Sequence, residues 1–134
     1  MHPAALALAR RNVRLHGLED RVRVVESDLL DGLPRGASFD LILSNPPYVD
    51  EADRPTLQRE LGFEPEMALF APDRGLALAT ELLSEARRRE ALGCVLEIGA
   101  GQGAELVSRA RAAGWRRASS HQDLAGHDRI LIAF

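Results

Sequence analysis

The sequence has few of the residues that mark secreted or membrane-bound proteins. It contains one cysteine, Cys94, which excludes a disulfide framework within the chain and lies in an apolar run typical of a buried strand. No apolar run reaches the roughly 18 residues that a bilayer-spanning helix needs. The first residues also lack the charged and apolar regions of a signal peptide. We therefore expect a cytoplasmic protein without membrane contact, and we predict no metal site.

Excess positive charge is also missing. The formal net charge is −3, and all 17 basic residues are arginines that are not gathered into a basic stripe. A nucleic-acid-binding surface normally needs such a stripe, so we do not expect direct nucleic-acid binding. With 134 residues, of which 46% are hydrophobic and 28% charged, the composition is that of one globular domain.

Strand-like and helix-like segments alternate along the chain, which predicts an α/β sheet whose ligands bind at the carboxyl ends of its strands. The segment from Tyr48 to about Asp73 has prolines and no long periodic run, so we expect an irregular and functional loop. The short link between the last two strands favours an antiparallel pair at the sheet edge. The predicted helices cover 3–16, 74–91 and 103–114, and the predicted strands cover 21–26, 39–45, 93–99, 115–122 and 129–134.

The motif Asn45-Pro46-Pro47-Tyr48 follows one of these strands. Two consecutive prolines fix two φ angles and remove two backbone donors, so carbonyls in this loop lack local N–H partners. The Asn45 side-chain oxygen and the Pro46 carbonyl can then accept both hydrogens of an –NH₂ group, while Tyr48 offers a flat face. This pattern indicates a site that orients a planar amide or exocyclic amine for attack on an electrophilic methyl group. The alternative is an ordinary turn after a strand.

Asp28 closes the strand predicted over 21–26. An aspartate there is commonly a loop or helix cap. In the functional interpretation, Asp28 and Leu29 contact the amino group and ring of an adenine.

Several longer stretches together resemble one family. The chain is similar to class I methyltransferases that use S-adenosylmethionine, and within these to the HemK/PrmC protein-(glutamine-N5) methyltransferases. The stretches that carry the resemblance are "VESDLLDGLP", "FDLILSNPPYVDEAD", "FEPEMALFAPDRGL", "LEIGAGQGAELV" and "DLAGHDRILIAF". Adenine-N6 methyltransferases share "NPPY" alone, whereas the longer combination is more specific.

The resemblance implies an activity, a cofactor and a partner. The activity is methylation of a glutamine side chain in the GGQ motif of a peptide chain release factor, with S-adenosylmethionine as cofactor. Asn45 and the Pro46 carbonyl would hold the glutamine amide, and Pro47 and Tyr48 would shape the pocket. Asp28, Leu29 and Asn45 would lie by the cofactor. Glu64 and Pro65 would flank the substrate cleft.

The resemblance also implies absences. The family's N-terminal substrate-recognition domain and its first two strands, including the glycine-rich cofactor loop, have no counterpart before Met1. Residues 1–134 would thus form part of a catalytic domain with an incomplete Rossmann-like sheet, mostly parallel and with an antiparallel C-terminal edge. The strand before Asn45 would be an exposed apolar edge, unless a missing N-terminal half or a second chain completes the sheet or the remaining strands close up. We expect this chain alone to be inactive or weak.

The glycine-rich stretch Glu97–Gly103 allows two interpretations. In a circularly permuted chain it would be the cofactor loop, with Asp123 20 residues beyond Gly103 as the acidic partner. Otherwise it is the family's own later strand and turn, in which Gln102-Gly103 is a normal feature, and this interpretation is favoured. For function, the alternatives to glutamine methylation are amine methylation of a nucleic-acid base and a non-catalytic remnant or interaction module.

Overall fold

The computed structural model describes residues 3–134, which divide into two compact units, one up to Ala37 and one over Ser38–Phe134. The second unit contains the sheet. The prediction of one partial catalytic domain over 1–134 therefore stays a prediction. No helix within the described residues has the length and apolar character needed to cross a membrane.

The N-terminal unit consists of helix α1 (Pro3–Leu15) followed by turns and extended chain. None of the α1 side chains is buried, and the least exposed include Leu6, Ala9 and Val13, which have helical spacing. Leu8 is exposed. The strand predicted over 21–26 is wrong, because this segment has no strand partner within the described residues. A β-strand needs a neighbour for its backbone groups, and residue periodicity cannot supply one.

The second unit is built on a four-stranded sheet in the order β1-β2-β4-β3. Strand β1 pairs with β2 in parallel, and β4 is antiparallel to both β2 and β3. The α/β class and the antiparallel C-terminal edge are confirmed, but one of the three described strand pairs is parallel, so the sheet is mixed. The four strands are β1 (Leu41–Ser44), β2 (Gly93–Glu97), β3 (Ala118–Gln122) and β4 (Asp128–Ala133).

Two longer helices pack on this sheet. Helix α3 (Ala77–Arg88) buries Ala79, Leu83 and Ala86, which have helical spacing, and Leu76 just before it is buried as well. Helix α4 (Gly103–Ala112) buries Leu106 and Ala110. The core is completed by strand residues, of which Cys94, Leu96 and Leu131 are fully buried. The buried location expected for Cys94 is confirmed.

Strand β1 lies at the edge of the sheet. Ile42 is 8% exposed, whereas Leu41 and Leu43 on the other face are 47% and 69% exposed. Within the described residues β1 pairs only with β2, so its other side presents unpaired backbone groups. Within the described residues, β1 is therefore an apolar edge strand, as expected.

Candidate functional site

Two loops meet at the carboxyl ends of β1 and β2 because these strands run in parallel. Ser44 lies opposite Leu96, so the residues after each strand emerge together. The first loop, Asn45–Tyr48, has an exposed Asn45 and a buried Pro46, while Pro47 and Tyr48 are half-buried. The polar side chain is thus open to an incoming molecule, and the rigid ring beside it is packed against the protein.

Backbone hydrogen bonds fix the chain directly after this loop. The N–H of Val49 donates to the carbonyl of Leu69 at 2.9 Å, and the carbonyl of Val49 accepts from the N–H of Ala71 at 3.1 Å. This short parallel bridge ties the loop to the far end of the following segment. The position of Tyr48 is therefore constrained on its C-terminal side.

The segment between these anchors contains short helices, so the expectation of irregular chain up to Asp73 is only partly right. Two 3₁₀ helices, Glu51–Thr56 and Arg59–Phe63, precede α2 (Glu66–Leu69). Asp50 caps the first by accepting from the N–H of Ala52 at 3.1 Å. Prolines and local caps favour such single turns over one long helix, and periodicity does not reveal them.

Arg54 holds the two ends of this segment together. Its guanidinium donates to Glu51 at 2.6 Å and to Glu66 at 2.8 Å, and it lies 4.2 Å from the centre of the Phe70 ring. Glu64 lines a cavity of about 210 Å³ beside Arg54, and Pro65 next to it is exposed. Their predicted role beside a substrate cleft remains a prediction.

Tyr48 is held at its hydroxyl by strand β2 and at its carbonyl by the glycine turn that follows β2. Its hydroxyl donates to Glu97 Oε1 at 3.0 Å, and its carbonyl accepts from Gln102 Nε2 at 3.0 Å. Burial raises the pKa of the phenol above its ordinary value, and the hydrogen bond and charge of Glu97 add to that shift. Tyr48 therefore stays protonated as a donor at neutral pH.

The Gln102 amide fills the turn that we considered as a cofactor loop. Its oxygen accepts from the N–H of Gly99 at 2.8 Å, and its nitrogen donates to the carbonyl of Arg74 at 3.1 Å as well as to that of Tyr48. Gly103 packs against β3 and β4, since a Cβ there would lie 2.7 Å from Ser120 and 2.6 Å from Asp128. The turn thus joins three segments of the protein.

Asp123, the acidic partner in the permuted interpretation, has its hydrogen bonds within the β3–β4 turn. One of its carboxylate oxygens accepts from the N–H groups of Ala125 and His127, and the other accepts from Arg129 at 3.1 Å. The backbone bond from His127, assisted by Arg129, holds the pKa of Asp123 below its usual value. Asp123 therefore shapes the β3–β4 turn, and the Gln102 side chain occupies the glycine turn, which favours the interpretation of this stretch as a later strand and turn.

Asp28 and Leu29 belong to the N-terminal unit. Asp28 is exposed, and Leu29 has a φ of 42° within a tight turn that the Ser27 hydroxyl closes by accepting from the N–H of Gly32 at 2.6 Å. The capping side chain here is Ser27, whereas Asp28 contributes its backbone carbonyl, which accepts from the N–H of Asp31 at 2.9 Å, so a capping role for the Asp28 side chain stays a prediction. The grouping of these residues with Asn45 around a cofactor stays a prediction.

A cleft of about 420 Å³ adjoins Tyr48 and the glycine turn. Its lining carries both signs of charge, with Asp50, Asp53 and Glu105 on the acidic side and Arg74 and Arg129 on the basic side, and Arg74 is paired with Glu105. Within the described residues, no group of three or more potential ligands could hold a metal ion. Sequence reasoning missed Glu97, Gln102 and Gly75 as neighbours of Tyr48. The spacing "E-x-G-x-x-Q-G" was the available signal, but it does not reveal which residues it contacts.

Comparisons with known proteins identify similar sequences. A family described as the methyltransferase small domain matches residues 1–61. The release factor glutamine methyltransferase of Deinococcus radiodurans is 40% identical over 99% of this chain and 47% of its own length. That of Nitratidesulfovibrio vulgaris is 39% identical over the same shares. The ribosomal protein uL3 glutamine methyltransferase of Francisella tularensis is 52% identical over 61% of this chain and 26% of its own length.

The chain spans about half the length of the release factor methyltransferases that it matches. The match covers the loop Asn45–Tyr48, the turn Gly99–Gly103 and the closing strands in one continuous order, which agrees with the fold. The chain is therefore similar to the methyltransferase small domain over residues 1–61 and, over nearly its whole length, to about half of the release factor glutamine methyltransferases of the HemK/PrmC type.

Proposed function

We propose that this chain supplies the substrate-holding loop of an enzyme that methylates the N5 nitrogen of a glutamine side chain in a protein. The observation that supports the proposal is the rigid loop Asn45–Tyr48 at the carboxyl end of β1, with an exposed Asn45 and a fixed Tyr48. The relatives' names point to the same chemistry, because each describes a glutamine methyltransferase. The catalytic assignment covers Asn45, Pro46, Pro47 and Tyr48.

The loop would act on the nucleophile. The glutamine –NH₂ group donates one hydrogen to the Asn45 side-chain oxygen and the other to the Pro46 carbonyl. An amide nitrogen is a weak nucleophile because its lone pair is delocalised, and two accepted hydrogen bonds increase its electron density. When the nitrogen gains a methyl group, it becomes acidic and loses one hydrogen as a proton, so no base has to act first.

The methyl donor in this proposal is S-adenosylmethionine, which supplies an electrophilic methyl group when bound. Asp28, Leu29 and Asn45 are its proposed contacts within this chain. The turn Gly99–Gly103 is not among them, because Gln102 occupies it. We therefore expect the remaining contacts to come from outside residues 3–134, and the isolated chain to be inactive or weak.

The proposed partner is a peptide chain release factor with its GGQ motif, as in the relatives that align over 99% of this chain. A second candidate is ribosomal protein uL3, because a uL3 methyltransferase is 52% identical over 82 residues. The unpaired side of β1 is the proposed docking site for a segment that completes the sheet. That segment would come from a missing N-terminal half or from a second chain. Base methylation and a non-catalytic remnant are the alternatives.

A chimera tests the proposal. This chain replaces the matching 47% of the Deinococcus radiodurans relative, and mass spectrometry follows methylation of a release factor and of uL3. We expect methyl transfer to glutamine in one of these proteins and a loss of about 100-fold or more with Asn45→Ala, because an orienting acceptor is removed. Asp40→Asn, before β1, is the control. If the chimera is inactive while the intact relative is active, the chain is a non-catalytic remnant. Full activity of Asn45→Ala would contradict the role of Asn45.

A further inference from the structure

We infer that Glu97 and Gln102 are positioning residues for the loop Asn45–Tyr48, which they hold through Tyr48. This inference rests on the proposed function, because it concerns how the same loop is held in its working shape. Glu97 binds the Tyr48 hydroxyl and Gln102 binds the Tyr48 carbonyl, at 3.0 Å each. The pair is called the Tyr48 clamp below.

The hydrogen-bonding capacity of Gln102 is used by three separate segments. Its two amide hydrogens go to the carbonyls of Tyr48 and Arg74, and its oxygen accepts from the N–H of Gly99. Tyr48 is 54 residues away along the chain and Arg74 is 28 residues away. A side-chain amide with all three bonds satisfied in a half-buried place fixes its partners relative to one another.

Close packing of Gly75 restricts the position of the Tyr48 carbonyl. A Cβ at Gly75 would lie 1.9 Å from the Tyr48 oxygen and 2.8 Å from Gln102 Nε2, and the residue has a φ of +80°. The backbone of Gly75 therefore packs directly against the clamp. The Tyr48 carbonyl has little room to rotate away from Gln102.

This arrangement determines which acceptors of the loop remain available. The Tyr48 carbonyl is committed to Gln102 and the Val49 carbonyl to Ala71. Within residues 3–134, no hydrogen bond to the Pro46 carbonyl is seen. The clamp thus engages the Tyr48 carbonyl and Ala71 engages that of Val49, so the acceptors left for the substrate amide are those of Asn45 and Pro46.

The Glu97 side of the clamp holds the ring. Glu97 ends β2, so its position is set by the sheet, where it lies opposite Ile130 of β4. Arg129, whose charge lowers the pKa of the phenol, is bonded to Asp123 through its Nε. A carboxylate that accepts from a half-buried phenol fixes the ring plane, which in the proposed function forms a wall of the amide pocket.

Gln102→Glu separates the hydrogen bond of the clamp to Tyr48 from the hydrogen bond within the turn to Gly99. The glutamate retains an acceptor for the Gly99 N–H but has no hydrogens to donate to the carbonyls of Tyr48 and Arg74. Gln102→Leu loses all three bonds. Amide hydrogen exchange followed by NMR distinguishes the two effects, with Ser84→Ala, a change inside α3, as the control.

We expect the Val49 N–H to exchange faster in both Gln102 variants, and the Gly99 N–H to exchange faster in Gln102→Leu alone. Tyr48 is the only tyrosine, so absorbance reports its phenol directly. Glu97→Gln should bring its pKa towards the ordinary value of 10.0, because a negative neighbour is removed. Wild-type exchange at Val49 in Gln102→Glu, or an unchanged phenol titration in Glu97→Gln, would overturn the clamp.

Methyl transfer by the chimera supplies the functional measurement. We expect Gln102→Glu to lower kcat by about 10- to 100-fold with a smaller change in KM, because a misplaced loop costs orientation in the reacting complex. Ser84→Ala should retain the parent rate. Parent-like kcat in Gln102→Glu would overturn the positioning role. If the parent chimera transfers no methyl group, the proposed function fails, while exchange at Val49 still decides whether the clamp exists.

Discussion

At the scale of the residue, Gly75 is the most constrained position beside the site. A side chain there would overlap the Tyr48 carbonyl, and the positive φ adds strain for any other residue. We expect Gly75→Ala to lower the free energy of unfolding by about 1–3 kcal/mol, as measured in urea. Gly62→Ala is the matched control, because nothing lies within 4 Å of its added Cβ. Equal stability of the two variants would contradict the close contact.

Cys94 predicts a dependence of stability on alkaline pH. Burial raises the pKa of its thiol from 9.0 to about 12. A raised folded-state pKa contributes stability that is complete below pH 9.0 and is lost as the pH rises towards 12. Urea unfolding should therefore show a steeper loss of stability above pH 9.0 in the wild-type protein than in Cys94→Ala. Parallel profiles would contradict the burial of an ionisable thiol.

The sole thiol should also be unreactive in the folded protein, because it is fully buried and protonated at neutral pH.

At the scale of the element, ion pairs join the start of α3 to α4. Arg109 binds Asp73 and Glu105, and Arg74 binds Glu105 at 2.9 Å. The hydrogen bonds from Arg109 hold the pKa values of both carboxylates below their usual range. Their contribution to stability is therefore present above pH 4.5 and is lost as the pH falls through the lower folded-state values.

We expect Arg109→Met to lower the urea midpoint more than Arg111→Met, which changes an exposed arginine on the same helix. The difference should shrink in high salt and in acid, because screening and protonation remove the same attraction. A difference between the variants that persists unchanged below the carboxylate pKa values would point to packing instead of charge.

The edge strand β1 predicts association between molecules. Leu43 is 69% exposed on a strand with one unpaired side, which is a template for pairing with another chain. Leu43→Lys should reduce concentration-dependent association in analytical ultracentrifugation without a large loss of stability. Leu124→Lys, at an exposed turn away from this edge, is the control. Equal association of the wild-type protein and Leu43→Lys would contradict pairing through β1.

Elements with their own periodicity were predictable from the sequence, and elements that depend on partners were not. Helices α3 and α4 and strand β2 carry their burial pattern in consecutive residues. The segment 21–26 has strand-like alternation but no strand beside it within the described residues. At the site, the loop Asn45–Tyr48 was located correctly by its prolines and preceding strand. Its contacts with Glu97 and Gln102 depend on the parallel pairing of β1 and β2, which sequence spacing does not show.

At the scale of the whole molecule, we assign different roles to the two loops at the carboxyl ends of β1 and β2. Asn45–Tyr48 presents acceptors to a substrate amide, and Gly99–Gly103 carries the side chain that holds that loop in place. The chain also spans about half of its release factor methyltransferase relatives. A complete methyl-transfer site should therefore form when the rest of such a relative is joined to it.

Calorimetric titration of the chimera with S-adenosylmethionine tests this division of roles most directly. Gly101 is exposed in the glycine turn, and nothing lies within 4 Å of a Cβ added to it, although its φ of +79° strains any side chain there. We predict that Gly101→Val binds the cofactor with the same affinity as the parent chimera, provided that circular dichroism shows both to be folded. Loss of cofactor binding in folded Gly101→Val would show that Gly99–Gly103 is a cofactor loop and would contradict the account.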